Sequence, residues 1–469
     1  MGMGKGFFHP RTMAESTCKT KHITPFRGWC GSGCSVYALW GHREIKNMPR
    51  WRFILTRLVE RIWFRAALIA ALSVVLALAA ALLAPLIPYK LSLSIGANAV
   101  DDILTILASS MLAVTTFSLT AMVTAFSGAA SHITPRATKL LIEDATAQNA
   151  LSTFLGGFLF AIVGIIALST GIYGGQGRAI LFIGTILVIA VIVLTLLNWI
   201  SRLGNFGRVQ DAIERVEARA ISALDHYPGP RLILQEERHP DAGACIVTAS
   251  KTGYVAHIDR SQLSEASAEA GVQFTLSAPA GTFVDPTRPL GWCDGSVDAE
   301  QLDRMRNAAI IEPSRDFDQD PRFGMVVLAE IGSRALSPGI NDPGTAIAVL
   351  VAGQRVLDSF SKLDVDTVER APHVIDAPIS FEDMVTDLVL PLARDGAGMF
   401  EVGIRMQQML GALAQRVPQA RGWLLDLAQQ ALDQARAAIE DKRALTRVED
   451  AHRSAFAEAQ VPRDVAERA

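Results

Sequence analysis

Long uninterrupted apolar runs dominate the first 200 residues of this sequence. Four windows contain no Asp, Glu, Lys, Arg or His: residues 66–88, 103–127, 150–173 and 179–200. Each window is long enough to cross about 30 Å of hydrocarbon as a helix that rises about 1.5 Å per residue. The pattern therefore predicts four transmembrane helices.

Positive charge is distributed unevenly around these windows. The flanks before the first window, between the second and third, and after the fourth together hold eleven Lys or Arg residues, whereas the other flanks hold only Lys90 and Arg178. Because positively charged flanks stay on the cytoplasmic side, both termini and the long region after residue 201 are predicted to be cytoplasmic.

The second window is rich in Ser and Thr. At about 100° per residue, its small and polar side chains fall on one helix face about 100° wide. This set, called the stripe below, consists of Thr105, Ser109, Ala113, Thr116, Thr120, Thr124 and Ser127. Such a face is typical of helix packing, because small residues let backbones approach and hydroxyls bond across helices or to their own helix. The alternative is the wall of a water-filled path in an oligomer.

The loop between the second and third windows predicts a short helix along the inner leaflet. Thr134 fits the N-cap position and is followed by a Pro in the first helical position. Arg136 and Lys139 are then expected to contact lipid headgroups, while Glu143 and Asp144 point away from them.

After residue 201 the apolar runs give way to amphipathic and alternating patterns. Residues 211–226 have helical spacing and predict a connecting helix within the segment 201–242. Residues 243–311 hold five short strand-like stretches and one helix, 260–270, and a turn at 250–253 favours a hairpin. This composition predicts a small β-barrel or sandwich.

The last part of the sequence, residues 312–469, predicts a helical domain. Asp320 and Asp342 are each followed by Pro, which fits an N-cap and a first helical position. Asp316, Asp318 and Asp320 alternate as in a calcium loop, but the required Gly and closing Glu are missing, so we expect a solvated acidic loop.

The fold class is thus an α-helical membrane domain with four transmembrane helices, followed by a cytoplasmic α+β region that contains a small β-barrel or sandwich and then a helical domain. The chain has 469 residues, of which 50% are apolar and 19% charged. A soluble domain has about 25% charged residues, so this chain is more apolar than a typical soluble domain.

Residues 1–47 lack a sustained apolar period. We expect them to be disordered or to be an extension upstream of the natural start, which leaves residues 48–200 as the membrane domain.

Charge and cysteine content narrow the choice of partners and compartment. Residues 1–65 carry twelve Lys or Arg against three Glu. They directly precede the first apolar window, so we interpret them as a membrane-proximal tail and expect no nucleic-acid partner. Five cysteines in this length do not form a disulfide framework, which favours a reducing compartment for most of the chain.

One motif in the helical part is specific enough to indicate a family. Residues 333–343 read Ser-Arg-Ala-Leu-Ser-Pro-Gly-Ile-Asn-Asp-Pro. This run resembles the signature of a bacterial family of four-span membrane proteins that is catalogued only as a domain of unknown function. Three other stretches match the same family: 132–136, 253–259 and 394–397. The resemblance covers about residues 50–440 and implies this architecture and a bacterial inner (plasma) membrane, but no activity.

Polar residues in and near this motif are the candidate ligand-binding residues. They are Arg334, Ser337, Asn341, Asp342, Arg394, Asp395, Glu401 and Arg405. In a structural role, Asp342 caps a helix and Arg334 pairs with Asp395 or Glu401. In a binding role, the amides of the helix start join Arg334 and Arg394 in an anion site, although the negative charge of Asp342 counts against it.

The sequence contains no pattern that assigns a reaction. Gly-rich phosphate loops, nucleophile elbows, paired-His motifs and Cys-His arrangements are absent from it. We therefore assign no catalytic residue, no metal and no cofactor, and disfavour an enzyme.

The expected partners are the lipid bilayer, further copies of the chain and a small anion or ion. Four helices are too few to enclose a path without symmetry. The leading hypothesis is an oligomeric channel-like or transport-related protein with a cytoplasmic regulatory region. The alternatives are a membrane-anchored sensing or scaffold module and, less favoured, a membrane-bound enzyme.

Overall fold

The computed structural model describes most of the chain from residue 62 onward. The described ranges are residues 62–83, 97–171, 175–204, 207–233, 239–362 and 371–457. The predictions made for residues 1–47 and for the end of the first window, 84–88, lie outside them.

The N-terminal part contains four long apolar helices and one short amphipathic helix. They are α1 (Ile62–Leu83), α2 (Ala97–His132), α3 (Pro135–Ile142), α4 (Ala145–Ser169) and α5 (Gly175–Leu203). In the described residues, α2, α4 and α5 are long and apolar enough to cross a membrane, whereas the apolar stretch of α1, Phe64–Ala79, is shorter. Three of the four predicted spans thus have candidate membrane helices, and the first stays a prediction.

Helix α4 is the centre of this bundle, with α1, α2 and α5 packed along it. Its glycines allow the close approach. A Cβ atom added at Gly156 would overlap Ser73 of α1, and one added at Gly157 would overlap Ile192 of α5. Small residues at contact points let membrane helices pack by van der Waals contact without a hydrophobic driving force.

The β part follows the predicted connecting helix, α6 (Val209–Asp225), and the two-residue strand β1 (Arg231–Leu232). Its elements, in chain order, are β2 (Cys245–Thr248), β3 (Gly253–Ile258), α7 (Arg260–Ala270), β4 (Phe274–Leu276), β5 (Phe283–Val284), β6 (Pro289–Cys293), α8 (Ala299–Asn307) and β7 (Ala309–Glu312). All five predicted strands and the predicted helix are present, and α8 and β7 are additional.

The predicted hairpin between β2 and β3 is wrong. Strand β2 pairs antiparallel with β6, whereas β3 lies between β5 and β7 in a separate three-stranded sheet. The burial of the two strands gives the reason. Nearly every residue of β3 is buried, so this strand needs neighbours on both edges, whereas β2 is only partly buried and forms the edge of its sheet.

The C-terminal part is mostly helical. Its elements are α9 (Pro321–Ala335), α10 (Pro343–Lys362), β8 (Val374–Ile375), β9 (Ile379–Ser380), α11 (Phe381–Asp395), α12 (Phe400–Arg416), α13 (Arg421–Ala438) and α14 (Lys442–Phe456). This confirms the predicted helical character, and helices begin directly after Asp320 and Asp342 as predicted. Strand β8 pairs in parallel with β4 and completes a four-stranded sheet in the order β2-β6-β4-β8, and β9 pairs in parallel with β1.

The largest hydrophobic core joins the C-terminal helices to the N-terminal bundle. It contains buried residues of α6 and of α9 to α13. It also contains Ala129 at the end of α2, Ile133, and Ala137, Leu140 and Leu141 of α3. The end of one apolar helix and the short helix after it are therefore built into the core of the region that follows the bundle.

Candidate functional site

The stripe lies on the face of α2 that is turned away from the rest of the chain. All seven positions from Thr105 to Ser127 are exposed. The opposite face of the helix buries Leu104, Leu107 and Met111 in the bundle core. In the described ranges the stripe thus lies outside the core of the bundle, and contact with another subunit or with water stays a prediction.

Hydroxyl groups of the stripe are satisfied within α2 itself. The Ser109 hydroxyl donates to the carbonyl oxygen of Thr105 at 3.0 Å. The Thr116 hydroxyl donates to the carbonyl of Leu112, and the Thr120 hydroxyl to that of Thr116, both at 2.9 Å. Such bonds to the preceding turn leave the oxygen lone pairs as acceptors on the exposed surface.

A four-residue charge cluster lies where the bundle meets the connecting helix. Asp144 caps α4, because its carboxylate accepts the Ala147 backbone N–H at 2.8 Å. The same carboxylate pairs with Arg215 of α6 and, at 3.1 Å, with Arg202 at the end of α5. Asp211 binds both arginines, at 3.3 Å from Arg202 and 2.9 Å from Arg215. The ion pairs of this cluster therefore link α4, α5 and α6.

Helix α3 is held to the C-terminal region by ion pairs. Arg136 pairs with Glu330 of α9, and the Lys139 ammonium lies 2.9 Å from a carboxylate oxygen of Asp316. Burial raises the pKa of the neighbouring Glu143, an effect that Lys139 partly offsets. Arg136 and Lys139 keep 59% and 46% of their side chains exposed, and their contact with lipid headgroups stays a prediction.

The link between α9 and α10 is a structured turn. Asp342 accepts the backbone N–H of Thr345 at 3.1 Å and its hydroxyl at 2.6 Å, which confirms the predicted N-cap. The Thr345 hydroxyl holds the pKa of the Asp342 carboxyl below its usual range. Asn341 has a φ of 54°, a left-handed conformation that Asn tolerates better than most residues. The Asp342 N–H donates to the Ala335 carbonyl at 2.8 Å and closes the turn.

Two further candidate ligand-binding residues, Arg394 and Asp395, lie beside this link. Arg394 binds Asp395 through two nitrogens, at 2.6 and 2.9 Å. A Cβ atom added at Gly396 would lie 3.3 Å from Leu336. The C-terminal ends of α9 and α11 are therefore neighbours, as a shared site would require.

The remaining candidate ligand-binding residues each make separate contacts. Ser337 donates its hydroxyl to the Arg334 carbonyl at 2.7 Å, which is a local turn contact. Arg405 donates to Gln354 of α10 at 3.0 Å, and Glu401 is exposed at the start of α12. Anion binding by this group stays a prediction, as does the pairing proposed for Arg334.

Two of the three aspartates of the acidic loop before α9 are buried, contrary to the expectation of a solvated loop, whereas the side chain of Asp318 is 33% exposed. Asp320 is 3% exposed and Asp316 is 9% exposed. Asp320 caps α9 through the Phe323 N–H at 3.1 Å, which confirms its predicted role, and it binds Arg315 at 2.7 and 3.0 Å. Basic side chains compensate both buried carboxylates, because Lys139 pairs with Asp316 and Arg315 with Asp320. In the part of the chain that the structure describes, no group of three or more His, Cys, Asp or Glu residues is placed to hold a metal ion.

Sequence reasoning missed a buried ion pair between the β part and the segment after α10. Arg260 and Asp376 are 4% and 5% exposed, and their side chains lie 2.7 Å apart. Nearby, the Tyr227 hydroxyl donates to the Ala377 carbonyl at 2.7 Å, and burial raises its pKa. The partners in each contact are more than 100 residues apart in sequence, so no local sequence pattern predicts either contact.

These features define a membrane protein with several apolar helices, followed by an α+β region whose core includes the end of one of them. The chain belongs to the family described as predicted membrane protein (DUF2254), which matches residues 59–412. This confirms the resemblance to a family of unknown function.

Similar proteins occur in mycobacteria. An uncharacterised protein of Mycobacterium bovis and one of Mycobacterium tuberculosis are each 25% identical to this chain over 261 residues, which is 53% of this chain and 50% of theirs. The aligned part thus spans about half the length of these curated relatives. No solved structure matches the chain.

Proposed function

We propose that this protein is an oligomeric channel-like or transport-related membrane protein, in which copies of α2 surround an aqueous path. The observation that carries the proposal is the exposure of the whole stripe on a helix long enough to span the bilayer. A lone anchor helix has no need of a hydroxyl-rich exposed face, whereas oxygen acceptors along a wall suit permeation. Closed symmetry supplies the remaining walls of the path.

The order of helix contacts supports four spans rather than three. Gly164 of α4 packs against Leu104, early in α2, and Gly157 packs against Met111, later in α2, so these helices run antiparallel. Asn149 contacts Arg65 and Gly156 lies beside Ser73, so α1 runs parallel to α4. Alternating directions are what a chain crossing the bilayer four times requires. The proposed orientation, with both termini cytoplasmic in a bacterial inner membrane, follows from the Lys and Arg flanks.

Contacts at the end of α2 support a regulatory role for the region after α5. Ala129 and Ile133 are buried in the large core with α6 and α9. The Asp144 cluster and the pairs from Arg136 and Lys139 fix the following helices to the same region. A change in the packing of the C-terminal helices therefore has a direct mechanical connection to the helix that carries the stripe.

Cysteine accessibility tests the proposal. Cys substituted at Thr116 or Thr120, in a chain with its native cysteines replaced, should react with small water-soluble thiol reagents in reconstituted vesicles. Phe117→Cys is the matched control, because Phe117 is 65% exposed but lies beside the stripe on the surface that would face lipid. Reaction at the two stripe positions and not at the control supports a water path.

Conductance and subunit number complete the test. A reconstituted protein that is monomeric, conducts nothing under voltage, tension or pH change, and leaves both stripe cysteines unreactive would remove the channel-like function. The membrane-anchored sensing or scaffold module would then be the better account, since the extensive core of the C-terminal region does not depend on a pore.

A further inference from the structure

Two cysteines face each other across neighbouring strands of the four-stranded sheet. Cys245 is the first residue of β2 and Cys293 the last of β6, and the register pairs them directly. Directly opposed residues of antiparallel strands point to the same face of the sheet and have Cα atoms about 4.5–5.5 Å apart. That separation lies within the range of about 4.4–6.8 Å that a disulfide bridges.

The two thiols differ in their access to solvent. Cys293 is fully buried, and its thiol donates to the thioether sulfur of Met305 at 3.5 Å. Cys245 is only partly buried and packs against the same core. Burial raises the pKa of Cys293 to about 12, and the nearby Cys245 adds to this effect. Any soluble oxidant therefore meets Cys245 first.

The geometry points to Cys245 and Cys293 as an oxidisable dithiol, in which Cys245 reacts with a hydroperoxide and Cys293 resolves the product to an intrachain disulfide. The Cys245 thiolate attacks the terminal peroxide oxygen, the O–O bond breaks, and the alkoxide leaves as an alcohol after taking a proton. The Cys293 sulfur then attacks the resulting sulfenic acid, the S–S bond forms, and water leaves with the thiol proton. The two thiols lose two electrons, which reduce the hydroperoxide to alcohol and water.

The consequence for the fold is a covalent bond between an edge strand and a central strand. In the described residues β2 pairs only with β6, and it follows directly on the segment that leads from α6 into the β part. The disulfide fixes that strand covalently to the sheet, whereas in the reduced state noncovalent contacts alone hold it there. The dithiol does not depend on the proposed pore.

Peptide mapping of the oxidised full-length protein tests this inference. Cys18, Cys30 and Cys34 are first replaced by Ser, which leaves the pair as the sole cysteines. The protein in mild detergent is treated with hydrogen peroxide, alkylated and digested with trypsin, which cuts at Lys251 between the two positions. We expect one linked pair of peptides, about 2 Da lighter than the sum of the two reduced peptides, and simultaneous loss of both thiols.

Two variants separate the roles of the cysteines. Cys293→Ala should abolish the link and allow a sulfenic-acid probe to label Cys245. Cys245→Ser, at the partly exposed position, should leave Cys293 reduced under the same treatment. Independent alkylation of both thiols after peroxide treatment of the native protein, links only between two molecules, or oxidation of Cys293 in Cys245→Ser would each overturn the inference.

Discussion

Removing the charge of Asp144 tests how far the cluster at the end of the bundle holds the fold together. The residue has two roles, because one carboxylate both caps α4 and binds Arg202 and Arg215. Asp144→Asn keeps a good capping side chain and removes the charge, whereas Asp144→Ala removes both. The difference between the two variants therefore isolates the cap.

The magnitudes follow from burial and from the remaining partners. Breaking a fully buried ion pair costs about 3–5 kcal/mol. Asp144 is 5% exposed, but Arg202 and Arg215 are 33% and 19% exposed and keep Asp211 as a partner. We therefore expect the lower cost of a hydrogen bond to a charged group, about 1.5–3 kcal/mol, for Asp144→Asn. Asp144→Ala should lose about 1 kcal/mol more for the cap.

Thermal unfolding of the detergent-solubilised protein, followed by tryptophan fluorescence, measures these costs as shifts in Tm. Asp298→Ala is the matched control, because Asp298 caps α8 with a capping box and is exposed. It should cost only about 1 kcal/mol. If Asp144→Asn unfolds at the wild-type temperature and Asp144→Ala matches the control, the ion pairs of the cluster contribute nothing and the reasoning is refuted.

Three further predictions concern the turns and the pH dependence. Asp342→Ala should cost about 0.5–2 kcal/mol through the lost cap, and Pro343→Ala little; an unchanged Tm for Asp342→Ala would contradict this. Gly281→Ala should destabilise more than Gly243→Ala, because both have positive φ but only at Gly281 would the new Cβ overlap a neighbouring carboxylate; equal Tm losses would refute the steric argument. Since burial raises the pKa of Glu143 above 4.5, its contribution to stability falls as pH rises from 4.5 through that raised value. Glu143→Gln should flatten this decline in a pH series of Tm, and an unaltered slope would speak against it.

The elements of the fold were predictable where the pattern is local. Thr134, Asp320 and Asp342 each stand immediately before a Pro, and all three cap the helices that the sequence predicts there. Capping needs only the next few residues, so the sequence contains all the information. The same holds for the apolar windows, whose length and lack of charge are local properties.

Strand pairing and charge compensation were not predictable, because both depend on distant residues. The turn at 250–253 favours a hairpin by local criteria, yet β3 obtains more burial between β5 and β7. The acidic loop looked solvated because its partner Lys139 lies 177 residues away from Asp316. The exposure of the stripe likewise depends on which face of α2 meets α4.

The reach of α2 into the large core affects how this protein can assemble. The helix has 36 residues, about 54 Å at about 1.5 Å per residue, so it is longer than the hydrocarbon layer is thick. Its last turns and α3 cover apolar surface of α6 and α9. A fragment that starts at residue 201 would expose that surface to water. During synthesis, the later helices can complete the large core only around an α2 that is already in place, so insertion of the bundle precedes the completion of that core.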